Sequence, residues 1–218
     1  MIVVIASAID DESLSLVERW RSDITVLTPL DMSSPGWRIE MDGPRSHFVA
    51  AGARHCSSEV DGVLSRLPAV PASEMLVVAH EDREYAACEA TATLAWWLTT
   101  MRCPVINTPT PASLIGPTLH PTHWRAVAGD LGVPTHRALC DPLAGREIES
   151  VRWCSVLDGQ PLGDHGAQEQ RWARALAAAA PSRLCAFAFT QTMPALCAVS
   201  QLPPLTDDLL DRLDEVFA

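Results

Sequence analysis

Two short polar segments carry the residue types that could hold a small ligand. His80-Glu81-Asp82-Arg83 and Asn107 through Pro111 each follow an apolar run, Met75–Ala79 and Val105-Ile106. In open α/β sheets ligands bind at the carboxyl ends of strands. Both segments are therefore expected on one edge, joined by Ser7 at the end of the first apolar run. Ser7, His80, Arg83 and Asn107 are the ligand-binding candidates. Arg83 suits a carboxylate, because a guanidinium presents paired N–H donors. His120 and His123 stand three residues apart at a helix start. A metal needs a third ligand and outer partners as well, so a surface pair is expected and no metal ligand is assigned. Seven Cys and seven His make a chance Cys–His pair easy to find, and GxSxG, GxGxxG and HExxH are all missing. No catalytic residue is assigned.

Composition narrows the chemistry. All 16 basic residues are Arg, against 27 acidic ones, and the net charge is −11. Without Lys there is neither a Schiff base nor a P-loop lysine. No basic patch is available to neutralise phosphates, so nucleic acid is not an expected partner, and an anionic membrane surface would repel the chain. The seven Cys are odd in number and none has CxxC spacing. Free thiols in a reducing cytoplasm are expected rather than a disulfide framework. The start, MIVVIASAIDDES, reads as a strand and not a signal peptide. The apolar helix around Ala86–Thr100 is too short to span a bilayer. A cytoplasmic protein is expected.

The elements that position these residues read as two domains, 1–115 and 116–218. Strands are expected at Ile2–Ser7 and Ile24–Leu27. An amphipathic helix opening at Asp10-Asp11-Glu12 would place Leu14, Val17 and Trp20 on one face. Trp37–Met41 and His47–Ala51 flank a hairpin signal at Asp42-Gly43, and Glu59–Leu67 reads as a short helix. Met75–Ala79, the long helix from Tyr85 to Met101 and Val105-Ile106 then read as one βαβ crossover. The neighbouring Trp96 and Trp97 are expected in the core, or with one ring on the sheet and the other covered by the second half or by a partner. In the second part, helices are expected at Pro121–Leu131, Gln168–Ala180 and Thr206–Phe217. Asp141–Glu149 reads as a polar loop. Val151–Leu157 with Asp158-Gly159 reads as a hairpin, and Leu184–Phe189 and Ala195–Val199 as two more strands.

The succession CPVINTPTPASLIGP, a helix, and then Leu131-Gly132-Val133-Pro134-Thr135 resembles the ATP-grasp superfamily, over about residues 75–139 most clearly. The resemblance implies an α/β fold: a parallel-sheet pre-ATP-grasp-like N-terminal domain followed by a small α+β ATP-grasp-like remnant. It also implies ATP-dependent joining of a carboxylate to an amine or thiol. That chemistry uses lysines on the phosphates and carboxylates on magnesium, and Arg is no simple substitute for Lys. Laid on the family pattern, the magnesium-binding Glu and Asn positions fall on Ala198 and Ser200, and the Asp position on Phe187 or Ala188.

The expectation is therefore a catalytically degenerate ATP-grasp-like protein. It would act as a partner or substrate-presenting subunit of a biosynthetic or peptide-modifying enzyme, with that enzyme or a second copy of itself as protein partner, a small molecule or peptide as ligand, and no cofactor. Two alternatives stay open. One is a small carboxylate–amine ligase using ATP and magnesium, with Arg152, Arg171 or Arg183 replacing the lysines and Asp158 or Asp164 holding metal. The other is a small-molecule-binding module that uses the strand ends near Ser7, Arg83 and Asn107.

Overall fold

The structure is a computed structural model and describes residues 1–40, 45–141 and 150–218. Contacts divide the chain into two units, Met1–Gly116 with Leu213–Ala218, and Pro117–Arg212. The C-terminal six residues group with the first unit, although the sequence reading assigned them to the second domain.

The first unit runs β1 (Ile2–Ile5), α1 (Asp11–Leu14), α2 (Leu16–Arg19), β2 (Ile24–Leu27), α3 (Pro29–Met32), β3 (His47–Ala50), β4 (Ala53–Cys56), β5 (Gly62–Ser65), α4 (Arg83–Thr100) and β6 (Val105–Ile106). Four strands form a parallel sheet in the order β2-β1-β5-β6. Every residue of β1 and β5 is buried, as expected for parallel strands covered on both faces. Val3, Ile5 and Val63 share a core with Phe48 and with Leu94, Trp97 and Leu98 of α4. Trp97 is fully buried, lies 5.1 Å from the Phe48 ring and donates its indole N–H to Ser57 Oγ at 2.9 Å. Phe217 covers β5 at Gly62, where an added Cβ would sit 2.1 Å from the Phe217 ring. Trp20 lies against Phe217 and donates to Asp214 at 2.7 Å.

Several expectations are corrected here. Met75–Ala79 is not a strand. Met75 is buried, but Leu76 and Val77 are 61% and 65% exposed, and the segment turns between two short 3₁₀ turns, Ala72–Glu74 and His80–Asp82. The strand before α4 is β5, within the segment read as a helix, so the crossover is β5-α4-β6. Both runs are short and apolar, and periodicity cannot separate a buried strand from a buried helical turn at that length. The first helix is broken into α1 and α2. Ser13, Leu16 and Trp20 turn inward, whereas Leu14 and Val17 stay exposed. The β3–β4 hairpin turns at Ala51-Gly52, both with positive φ, the geometry of a tight two-residue turn. Arg38 and His47 do exchange backbone hydrogen bonds at 2.9 and 2.7 Å. The Asp42-Gly43 turn itself lies outside the described residues, as do residues 142–149 of the expected polar loop.

The second unit contains α5 (Pro121–Asp130), β7 (Val151–Leu157), β8 (Gln160–Leu162), α6 (Ala167–Ala178), β9 (Leu184–Thr190) and β10 (Leu196–Ser200). A final helix, α7 (Asp207–Phe217), contributes its first six residues to this unit. The strands form an antiparallel sheet in the order β10-β9-β7-β8. Its core gathers Trp124, Val133, Cys154, Val156, Leu176, Phe187 and Phe189. Thr135 pairs in parallel with Leu196, and Arg137–Leu139 form a 3₁₀ turn. Burial pushes the Cys154 thiol up to about 11 and Cys185 to about 12, which keeps both protonated and unreactive at neutral pH.

Gly62→Ala is predicted to cost about 1–3 kcal/mol of stability, because the added methyl must displace the Phe217 ring. Urea unfolding of the variant beside the parent protein checks this.

Candidate functional site

The carboxyl edge of the first sheet is where the sequence placed a ligand. Ser7 lies two residues beyond β1 and Asn107 one residue beyond β6, so this edge does bring those two to the same side of the sheet. Ser7 donates to Glu74 Oε1 at 2.6 Å, and the Ala8 N–H donates to Glu74 Oε2 at 2.7 Å. Asn107 is buried, and Gly116 packs so closely that a Cβ there would lie 2.8 Å from Asn107 Cβ. The positive φ of Gly116, +88°, suits the same position to glycine.

His80 and Arg83 are not at a strand end, because no strand precedes them. His80 is exposed in its 3₁₀ turn. Arg83 donates from Nε to the Val78 carbonyl at 3.0 Å and from Nη2 to the Leu76 carbonyl at 3.3 Å. Its guanidinium thus holds the segment that replaces the expected strand.

The residue that dominates this edge is Arg66, one position past β5, and sequence reasoning missed it. It is 8% exposed and donates to Ser13 Oγ at 2.8 Å, Glu12 Oε2 at 2.9 Å and Asp10 Oδ2 at 3.3 Å. Asp10 also caps α1 by accepting from the Ser13 N–H. An Arg inside the apolar phrase VLSRLP was a visible signal, but it lost its meaning once the phrase was read as a helix. The edge is thus filled by the chain's own ion pairs.

The second unit holds an open cleft of about 930 Å³. Thr135 and His136 form one wall, aligned with β10 by two backbone hydrogen bonds of 2.8 Å to Leu196. The turn from Thr190 to Ala195 forms the other, with Met193 80% exposed at its lip. Thr190 Oγ1 shapes that turn, donating to the Met193 carbonyl and accepting from the Ala195 N–H. His136 Nδ1 accepts from the Ala138 N–H at 3.2 Å, so the neutral ring carries its proton on Nε2. The side chains of Thr135, Gln191 and Thr192 make no hydrogen bond among the described residues. No Arg and no carboxylate lines the cleft among those residues. Such a surface suits an uncharged polar chain and not a polyphosphate.

The positions that the ATP-grasp pattern gives to magnesium fall on the paired strands β9 and β10. Ala198 lies opposite Ala188, Val199 opposite Phe187 and Ser200 opposite Ala186. Phe187 is in the core, and Ser200 Oγ bonds the backbone of Leu202. The arginines considered as lysine substitutes are engaged elsewhere. Arg183 makes a two-pronged pair with Asp158 at 2.7 and 2.8 Å. Its hydrogen bonds hold the Asp158 carboxyl below the ordinary value against the opposing effect of burial. Arg152 donates to the buried Glu169 at 2.6 Å, and Arg171 bonds Gln168. Asp164 is exposed. Among the described residues no group of three or more His, Cys, Asp or Glu could hold a metal. Among the described residues, the side chains at these strand positions and the paired arginines do not make a magnesium–nucleotide site.

A parallel α/β unit, followed by an antiparallel α+β unit with this strand order, is an ATP-grasp-like fold, and solved structures agree. The ATP-grasp ligase PsnB complexed with a minimal precursor superposes with a TM-score of 0.67 at 12% identity, covering 100% of this chain and 99% of that one. The macrocyclase MdnC from Microcystis aeruginosa MRC, bound with the precursor peptide MdnA, gives 0.65 at 10%, covering 99% and 98%. A Chryseobacterium gregarium RiPP-associated ATP-grasp ligase, in complex with ADP and a leader and core peptide, gives 0.56 at 8%, covering 97% and 91%. No family model matches the sequence, and no curated protein matches it either. No helix among the described residues is long and apolar enough to cross a membrane.

Burial raises the Asp10 carboxyl, but hydrogen bonds from Ser13 and the charge of Arg66 outweigh it, so its pKa lies below the ordinary 3.8. The stabilisation is complete above 3.8 and is lost as pH falls through the depressed native value. Asp10→Asn is predicted to make the acid fall of stability shallower between pH 3.8 and the depressed native value, as read from chemical unfolding at a series of pH values.

Proposed function

We propose that this protein is a catalytically degenerate member of the ATP-grasp fold class, serving as a substrate-presenting partner of a peptide-modifying biosynthetic enzyme. The observation that carries this is the neutralisation of its second unit. Arg183 and Arg152 are spent on Asp158 and Glu169, and the metal-binding positions of the fold carry Ala198, Ser200 and Phe187 or Ala188. Phosphoryl transfer depends on fixed positive charge at the phosphates, from metal and cationic side chains. Here Arg152 and Arg183 are held by carboxylates of the chain itself.

The cleft beside the Thr190–Ala195 turn gives the presenting role a place. Its hydroxyl, amide and imidazole groups can bond a peptide backbone, and Met193 offers an adaptable apolar contact. A volume of about 930 Å³ accommodates several residues. That PsnB and MdnC are held with precursor peptides in structures of the same fold supports a peptide as the class of ligand. The carboxyl edge around Ser7, Arg66 and Asn107 is, on this reading, structural. His80 stays exposed, and Arg83 braces the segment before it. The small-ligase alternative has the likeness to solved ATP-grasp ligases on its side, and the arrangement of charges in the second unit against it.

Titration calorimetry with ATP, with and without magnesium, tests the proposal. No heat of binding is expected at nucleotide concentrations that saturate working ligases. Tight binding that requires magnesium would overturn it.

A further inference from the structure

Helix α4 is apolar on both sides, and only one side is used. Ala87, Leu94, Trp97 and Leu98 face the first unit's core. On the opposite side Tyr85, Cys88, Ala92, Trp96 and Thr99 are exposed, with Tyr85 71% and Trp96 40% accessible. The steps between them are three, four, four and three residues, the spacing of a seam that receives another helix. Thr99 turns its hydroxyl back to the Trp96 carbonyl at 2.7 Å, which leaves its methyl as the outward group. An exposed apolar stripe along a helix is ordinarily covered by another element. Tyr and Trp are also the residues that most often anchor protein interfaces.

Charge decides what covers this face. At 3.6 residues per turn, Glu84 and Glu89 fall on opposite flanks of the stripe, and both are exposed. Glu81 and Asp82, also exposed, precede the helix. Among the described residues none of these four carboxylates is in an ion pair. Arg83, the only cation of α4, is turned to the carbonyls of Leu76 and Val78. A second copy of this chain would set carboxylates against carboxylates, within a protein whose net charge is already −11. A helix with apolar residues along its seam and Arg or Lys on both flanks would instead meet an apolar stripe between two acidic rails.

We propose that the outer face of α4 is a docking surface for a basic amphipathic helix of a partner protein, with Tyr85 and Trp96 as its anchors. This rests on the reading of the chain as a partner subunit and adds the chemistry of what it meets. The occupant lies along α4 with its cationic flanks beside Glu84 and Glu89, so binding weakens as salt screens those pairs.

The probe is a fluorescently labelled helical peptide with Leu and Ala on its seam and Arg on both flanks, beside a matched peptide with Glu on the flanks. Anisotropy should show saturable binding of the Arg peptide alone. Trp96→Ala and Tyr85→Ala should each weaken it about tenfold or more, as loss of an interface anchor does. Glu89→Gln, which leaves the apolar stripe intact, should weaken it by a smaller factor that vanishes at high salt. Circular dichroism confirms that the variants stay folded. Equal binding of the two peptides, or an unchanged affinity in Trp96→Ala, would overturn the proposal. So would a dimer of the parent chain that Trp96→Ala dissociates, because the occupant would then be a second copy. The nucleotide titration reports on the second unit alone, so failure there and failure here are separate results.

Discussion

A parallel strand buried on both faces must be covered twice, and β1 sets that requirement for the whole first unit. Its residues are sealed between β2 and β5, so neither face can be left to solvent. One face is covered by α4, whose Trp97 closes the core against Phe48. At the next strand the closest cover comes from Phe217, which the sequence delivers at the very end of the chain. This explains why Gly62 stands in β5, since a larger residue would collide with that ring. It also explains why α4 is long and apolar, a feature that would otherwise read as a waste of hydrophobic surface.

The same sheet decides what its carboxyl edge can do. In this fold class the edge is open to ligands in principle, but here it is occupied from within. Arg66 is held by Asp10, Glu12 and Ser13, and Ser7 is tied to Glu74. Breaking a buried ion pair from one side leaves a charge without compensation, so these groups hold one another in place. The second unit repeats the pattern, with Arg183 on Asp158 and Arg152 on Glu169. Four of the arginines are held by the chain's own carboxylates in this way, and the cleft beside Thr135 and Gln191 carries no charged side chain among the described residues.

Much of this was legible in the sequence, for identifiable reasons. The two-part α/β architecture followed from the order of elements, and the antiparallel strands of the second unit from the Asp158-Gly159 turn and the Leu184–Phe189 run. The β5 strand was not legible, because four apolar residues carry no period, and the neighbouring run Met75–Ala79 looked the better strand. That single exchange misplaced His80 and Arg83 and hid Arg66. Long-range closures were out of reach as well. Nothing local in Gly62 announces Phe217, and nothing in Ser7 announces Glu74, which are joined only by the fold.

The central proposal is that the paired strands β9 and β10, onto which the sequence resemblance lays the family's magnesium ligands, hold neither metal nor nucleotide. Amide hydrogen exchange across Leu184–Ser200, with and without magnesium and ATP, tests it most directly, because a ligand bound there must slow local opening. The account predicts superimposable exchange curves in the two conditions. Slowing of these amides by an order of magnitude or more, dependent on magnesium, would contradict it.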